Sequence, residues 1–292
     1  MSPSPPTASG NDGSAVTTPG SGAAPSLSNL TKRLLVALVG VPLLVAAIWF
    51  GGPWYTVLVY AAALIATWEF NRLASAAEGD PFTPLLYGSV LLLLLDAYTG
   101  RAYLPAILTG ILLVALVWSV VSFQLRGVAV GWLWTLGGSL YIGWLLSHYL
   151  VLRDLDQGRG WVLFAVFATF VNDTASYAVG RMLGKHHMAP NLSPGKTWEG
   201  AAGGLVATVL SAPLLALALG LSGAWTLWPL GLAVSAAAQV GDLAESMLKR
   251  AARVKDASAL VPGHGGVLDR LDSLVLVGTL IYYYVVWVVP SV

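Results

Sequence analysis

Residues 242–272 hold five acids, Asp242, Glu245, Asp256, Asp269 and Asp272, against five bases, Lys249, Arg250, Arg253, Lys255 and Arg270. Apolar runs flank this window on both sides, so its carboxylates and cations begin inside or at the edge of a bilayer. An ionisable group there costs about 2.5–3.5 kcal/mol on insertion scales unless it is paired, hydrated or metal-bound. On a helix, Asp242, Glu245, Ser246 and Lys249 fall at i, i+3, i+4 and i+7 and share one face. Asp269 and Asp272 stand one turn apart at the start of the next run. Between the two lie Lys255-Asp256 and Pro262-Gly263-His264-Gly265-Gly266, whose glycines allow left-handed backbone angles and close approach of amide N–H groups to an anion. Two helix ends joined by such a loop can face each other. Asp242 and Asp269 would then offer hard oxygen ligands suited to Mg²⁺, with the surrounding cations holding phosphates. That is the equipment of phosphoryl-type transfer, where positioning and charge neutralisation carry the catalysis. The competing reading makes these groups salt bridges that cap two helices at a membrane surface. It suits Lys249, Arg250 and Arg253 taken alone, since basic residues commonly flank spans, better than it suits the acids.

A second constellation runs from Asn172-Asp173-Thr174-Ala175-Ser176-Tyr177 to Ser193-Pro194-Gly195-Lys196-Thr197-Trp198-Glu199-Gly200. Asp173 lies within an apolar span and is a functional candidate for that reason; the alternative is a helix-packing hydrogen bond among Asn172, Asp173 and Thr174. Lys196 and Thr197 follow a Ser-Pro-Gly turn and directly precede a helix, a placement that suits phosphate at a helix N-terminus. His186 and His187, adjacent on a loop, make a poor chelate and read as surface histidines.

The elements that must position these groups are membrane helices. The chain of 292 residues is 57% hydrophobic and 10% charged, against about 25% charged in a soluble domain. The expected class is an all-α polytopic membrane protein. Cysteine is absent, which excludes disulfides and thiolate chemistry. The net charge of +1 gives no argument for a nucleic-acid partner, and none is expected. Residues 1–30 are rich in Ser, Pro, Gly, Ala and Thr and read as a disordered tail. A span takes about 20 apolar residues, and such runs lie at about 34–52, 54–70, 82–98, 103–123, 128–150, 161–181, 200–220, 224–244 and 269–290. The first, behind Lys32 and Arg33, reads as an uncleaved helix. With a cytoplasmic N-terminus, nine spans put every Lys and Arg except Arg101, Arg153 and Arg159 on the inside, as the positive-inside rule requires. The C-terminus then lies on the opposite side, and the charged loops 182–199 and 245–268 both face the cytoplasm. By composition, residues 31–160 form a five-helix region and residues 161–292 a four-helix region with nearly all the polar chemistry.

The run Ser246-Met247-Leu248-Lys249-Arg250, then Lys255-Asp256, then Pro262-Gly263-His264-Gly265-Gly266-Val267-Leu268-Asp269-Arg270-Leu271-Asp272 closely resembles the signature of the phosphatidate cytidylyltransferases, or CDP-diacylglycerol synthases. The Asp173 and Ser193 segments also look like motifs of that family. The similarity is strong over residues 161–292 and only architectural before that. Val261 stands where Leu, Ile or Phe is usual, and Ala175-Ser176 where Gly-Ala is more familiar; neither change removes a charged candidate.

The resemblance implies transfer of CMP from CTP to phosphatidic acid, with pyrophosphate released, at the inner face of the cell membrane. It implies Mg²⁺ on Asp242 and Asp269, and a second cation is left open. Lys249, Arg250, Lys255 and Arg270 would hold the triphosphate or the lipid headgroup, and Asp173 would support the metal or order the site. Ser193, Lys196, Thr197, His264, Gly265 and Gly266 would contact phosphate, with Glu199 and Asp272 as outer partners. The acyl chains would stay in the bilayer, and a homodimer is left open. A transporter with Asp173 and Asp242 in its pathway is the rival from another class. A CTP-dependent enzyme for another lipid phosphate is the rival among enzymes.

Overall fold

The computed structural model describes residues 29–122, 127–260 and 265–289, without the side chains of 29–37 and 129. The expected tail lies outside the described residues up to residue 28, and so does His264. In chain order the helices are α1 (Asn29–Phe50), α2 (Gly52–Ala76), α3 (Thr83–Tyr98), α4 (Leu104–Val121), α5 (Val128–Gly138), α6 (Leu145–Asp154), α7 (Gly158–Leu183), α8 (Trp198–Ala218), α9 (Trp228–Ala251) and α10 (Leu268–Val288). Each expected apolar run falls on helix. The run at 128–150 is α5 and α6 joined by a π-helical stretch, Ser139–Trp144. Among the described residues, five helices are long and apolar enough to cross a membrane: α2, α4, α7, α8 and α10. Val117, Val121, Leu210 and Leu214 are exposed on the outer surface, as befits helices surrounded by lipid, which is as apolar as leucine. The chain has the fold of an all-α membrane protein.

Among the described residues, the two-stranded sheet lies in the 182–199 loop. There β1 (His187–Ala189) and β2 (Ser193–Thr197) pair antiparallel, with His187 opposite Thr197 and Ala189 opposite Ser193. The expected Ser-Pro-Gly turn is therefore part of a strand. Glu199 holds the hairpin shut: its carboxylate accepts from the Lys185 and His186 amides at 3.1 and 3.2 Å and from His186 Nδ1 at 2.5 Å. The Trp198 amide adds a bond to the His186 carbonyl at 2.9 Å.

Small residues set the close helix crossings that build the site. A Cβ on Gly200 of α8 would lie 2.7 Å from the Ser176 carbonyl of α7, and one on Gly204 would lie 2.0 Å from Ser176 Oγ. A Cβ on Gly241 of α9 would lie 2.4 Å from the Asp272 carbonyl of α10. Backbones that approach this closely draw their polar side chains into one place. The N-terminal region braces α10 from the other side. Tyr149 of α6 donates to the Leu274 carbonyl at 2.9 Å, and Tyr55 of α2 donates to the Tyr149 carbonyl at 3.0 Å.

Candidate active site

Where α7, α8 and α9 meet, a cavity of about 200 Å³ is lined by Asn172, Asp173, Lys196, Thr197, Gln239 and Asp242, among others. Asp173 comes from the middle of α7, where it accepts from Asn172 Nδ2 at 3.1 Å. Thr197 is the N-cap of α8: its hydroxyl accepts from the Gly200 amide at 3.1 Å, the usual use of a threonine at a helix start. Lys196 is the next-to-last residue of β2, and its Nζ stands 2.7 Å from Asp242 Oδ2. The hairpin thus brings a cation to the cavity wall opposite the acid that α9 supplies. Four of the residues singled out in the sequence, Asp173, Lys196, Thr197 and Asp242, share this cavity.

Beside it lies a second charged layer. Asp242, Glu245 and Asp272 bring one carboxylate oxygen each to within 4.8 Å of one another. Glu245 is fully buried, and its Oε1 has no hydrogen-bond partner among the described residues. Lys249, one turn on, reaches Glu245 Oε2 at 2.5 Å and Asp269 Oδ1 at 2.7 Å. Asp269 also accepts from the Gly266 amide at 2.7 Å and the Ala257 amide at 3.1 Å. Three donors thus converge on Asp269, which ties both ends of the 257–266 loop to α9. Asp242, Glu245 and Asp272 form one carboxylate group, and Asp269 meets Glu245 from its other side with Lys249 bonded to both. The crossing of α9 and α10 explains the place of Asp272, since the Gly241 contact falls at Asp272–Ser273, not a turn earlier. The Asp272 carboxylate itself accepts from the Ser273 amide at 2.6 Å.

Arg250 donates to the Leu192 carbonyl and to the Val254 carbonyl, each at 3.1 Å, so it ties the hairpin to the end of α9. Ser193 sits in the hairpin register opposite Ala189 and does not line the cavity. Lys255 and Arg270 are exposed beside the site. Gly265 has φ +82°, and a Cβ there would lie 2.8 Å from Asp269 Oδ2.

Glu69 of α2 is a buried acid beside the site that the spacing of the motifs does not show. It is fully buried, and its carboxylate accepts from the Val267 and Leu268 amides at 3.0 and 2.6 Å and from the Ser258 hydroxyl at 2.5 Å. An anion at the N-terminus of α10 satisfies orphan amides and opposes the positive end of the helix dipole. A Cβ on Gly266 would lie 2.5 Å from Glu69 Oε1, which is why a glycine stands there. The available signal was a lone acid at the end of an apolar run.

A cluster of three hard oxygen donors, one of them buried with an unpartnered oxygen, suits a divalent cation such as Mg²⁺. A lysine, a helix N-terminus and an acid around one cavity suit a polyphosphate. Together they define a membrane-embedded enzyme of phosphate-ester chemistry. Residues 31–288 match the model of the cytidylyltransferase family, and the chain belongs to that family. It is 35% identical over 271 residues to the phosphatidate cytidylyltransferase of Brucella suis biovar 1 (strain 1330), covering 88% of this chain and 94% of that one. It is 32% identical over 265 residues to the phosphatidate cytidylyltransferase of Bacillus subtilis (strain 168), covering 87% and 97%. For the protein of the same name in Mycobacterium tuberculosis (strain ATCC 25618 / H37Rv) the identity is 32% over 260 residues, covering 84% and 79%.

Proposed function

We propose that the chain transfers CMP from CTP to phosphatidic acid, forming CDP-diacylglycerol and pyrophosphate. The observation that carries this reading is the joining of the Asp173–Lys196–Asp242 cavity to the Asp242–Glu245–Asp272 cluster in a membrane protein of the cytidylyltransferase family. A lipid phosphate has its second pKa near 6, so at neutral pH it is largely a dianion and needs no general base. One of its oxygens attacks the α-phosphorus of CTP; the bond from that phosphorus to the bridging oxygen breaks, and pyrophosphate departs with the electron pair. No proton has to move, in keeping with a cavity that lacks a base–nucleophile relay among the described residues. Lys196 neutralises charge on the phosphates, and the N-terminus of α8 adds its dipole to the same place. Asp242, Glu245 and Asp272 would hold Mg²⁺, which when bound supplies charge neutralisation on the triphosphate. Lys249 and Asp269 keep those carboxylates and the 257–266 loop in register, and Asp173 orders the cavity from α7.

The arrangement of Lys and Arg supports a multi-pass protein of nine spans with its N-terminus in the cytoplasm, which places this cavity on the cytoplasmic side of the cell membrane. CTP then arrives from water while the acyl chains stay in the bilayer. Residues 161–292 supply the catalytic groups, and residues 31–160 supply the brace at Glu69. Purified protein in detergent, given CTP, Mg²⁺ and phosphatidic acid, is expected to release one pyrophosphate per CDP-diacylglycerol formed, and chelation of the metal is expected to stop both. Folded protein that makes neither product under these conditions contradicts the proposal.

A further inference from the structure

We propose that Gln239 reads the nucleoside half of the nucleotide: its side-chain carbonyl is a fixed acceptor for a hydrogen-bond donor on the base or the ribose. The inference rests on the cytidylyl transfer proposed above. Gln239 lines the same cavity as Asp173, Lys196 and Asp242. Its Nε2 donates to the Ala201 carbonyl of α8 at 3.1 Å and to Ser235 Oγ at 3.0 Å. A main-chain carbonyl can only accept, so the amide cannot be turned round, and both of its N–H groups are used. The direction then propagates. Ser235, fully buried, donates its own proton to Asn172 Oδ1 at 2.7 Å, and Asn172 Nδ2 donates to Asp173 Oδ1 at 3.1 Å. What remains is Gln239 Oε1, an acceptor with no hydrogen-bond partner among the described residues. It is held rigid by α8 and α9.

The chemistry of the substrates decides what such an acceptor can take. The triphosphate and the lipid phosphate present anionic oxygens, which a carbonyl repels. The donors are the 4-amino group of cytosine and the ribose hydroxyls. UTP carries an acceptor oxygen in place of that amino group, and dCTP lacks the 2′-hydroxyl. Gln239 is half-buried, and its acceptor at the cavity wall is closed off from water once the nucleotide fills the cavity, so it discriminates against the analogue that leaves it unpaired.

The test compares kcat/KM for CTP, UTP and dCTP in the wild-type protein and in Gln239→Leu, with KM for phosphatidic acid measured alongside. The wild type is expected to favour CTP by more than about tenfold over one of the two analogues. Gln239→Leu is expected to bring that ratio to within about threefold while KM for phosphatidic acid holds. Loss of the UTP preference assigns the contact to the cytosine amino group; loss of the dCTP preference assigns it to the ribose. If Gln239 only orders Asp173, kcat falls equally for all three nucleotides with the ratios unchanged, and the inference is overturned. Equal kcat/KM for the three in the wild type overturns it whether or not the variant folds. A wild type inactive with CTP counts against cytidylyl transfer itself.

Discussion

Asp242→Asn is expected to lower turnover by about 10²–10³-fold, the usual loss when one electrostatic group of a reaction centre is removed. Asp242 belongs to both layers of the site, since it pairs with Lys196 across the cavity and stands in the carboxylate cluster with Glu245 and Asp272. Asparagine keeps the shape and one ligand oxygen but removes the charge. The Mg²⁺ concentration needed for half-maximal rate should rise as well. Stability should change little, because the Asp242 side chain is 40% exposed and its pair with Lys196 is partly solvated. Such pairs contribute about 0–1 kcal/mol. The split between a large loss of rate and an almost unchanged melting temperature is the signature. A variant that keeps more than about a third of wild-type turnover is incompatible with Asp242 as a member of the reaction centre.

Glu69→Ala is expected to have the largest effect on stability. Three donors converge on the Glu69 carboxylate, and alanine would leave the Val267 and Leu268 amides and the Ser258 hydroxyl without their acceptor. Each orphaned buried donor costs about 1–3 kcal/mol, so a loss of about 3–5 kcal/mol follows, with some relief from water entering the gap. The apparent melting temperature in detergent should drop by about 10 °C. Activity should fall too, because Glu69 grips the residues between Gly266 and Asp269 and so sets where the loop meets α9. Glu69→Gln, which keeps one acceptor oxygen but turns an amide nitrogen toward amide donors, should fall between the two. Unchanged melting and unchanged rate in Glu69→Ala would refute its role as the cap of α10.

The helices were legible because a membrane helix announces itself as a run of apolar residues, and the described part of each expected run is mostly helical, the 128–150 run in three pieces. The α9 face was legible too: Glu245 and Lys249, one turn apart, do pair, with Asp242 a turn before them in the cluster. That Asp272 of α10 joins them was not. Asp269 and Asp272 lie one turn apart on the same helix, and the height at which α9 and α10 cross brings Asp272 as well as Asp269 to the α9 acids. That height is set by Gly241 against the Asp272 carbonyl, a contact between backbones with no trace in side-chain spacing. The hairpin escaped notice because its strands are only three and five residues long and are closed by Glu199, whose role as an anchor is fixed by tertiary contacts. Glu69 was invisible for a different reason. It bonds an amide 199 positions away, and no local pattern encodes so long a reach.

In the proposed reaction this cavity passes the cytidylyl group, and no other part of the nucleotide, to the lipid. CTP labelled with ³²P at the α-phosphorus, and separately at the γ-phosphorus, distinguishes this directly when the lipid and aqueous products are separated. The predicted result is α-label in the lipid and γ-label in pyrophosphate, both requiring Mg²⁺ and phosphatidic acid and both nearly lost in Asp242→Asn. Label from the γ-phosphorus in the lipid, or no label in the lipid from either nucleotide with folded wild-type protein, would contradict it.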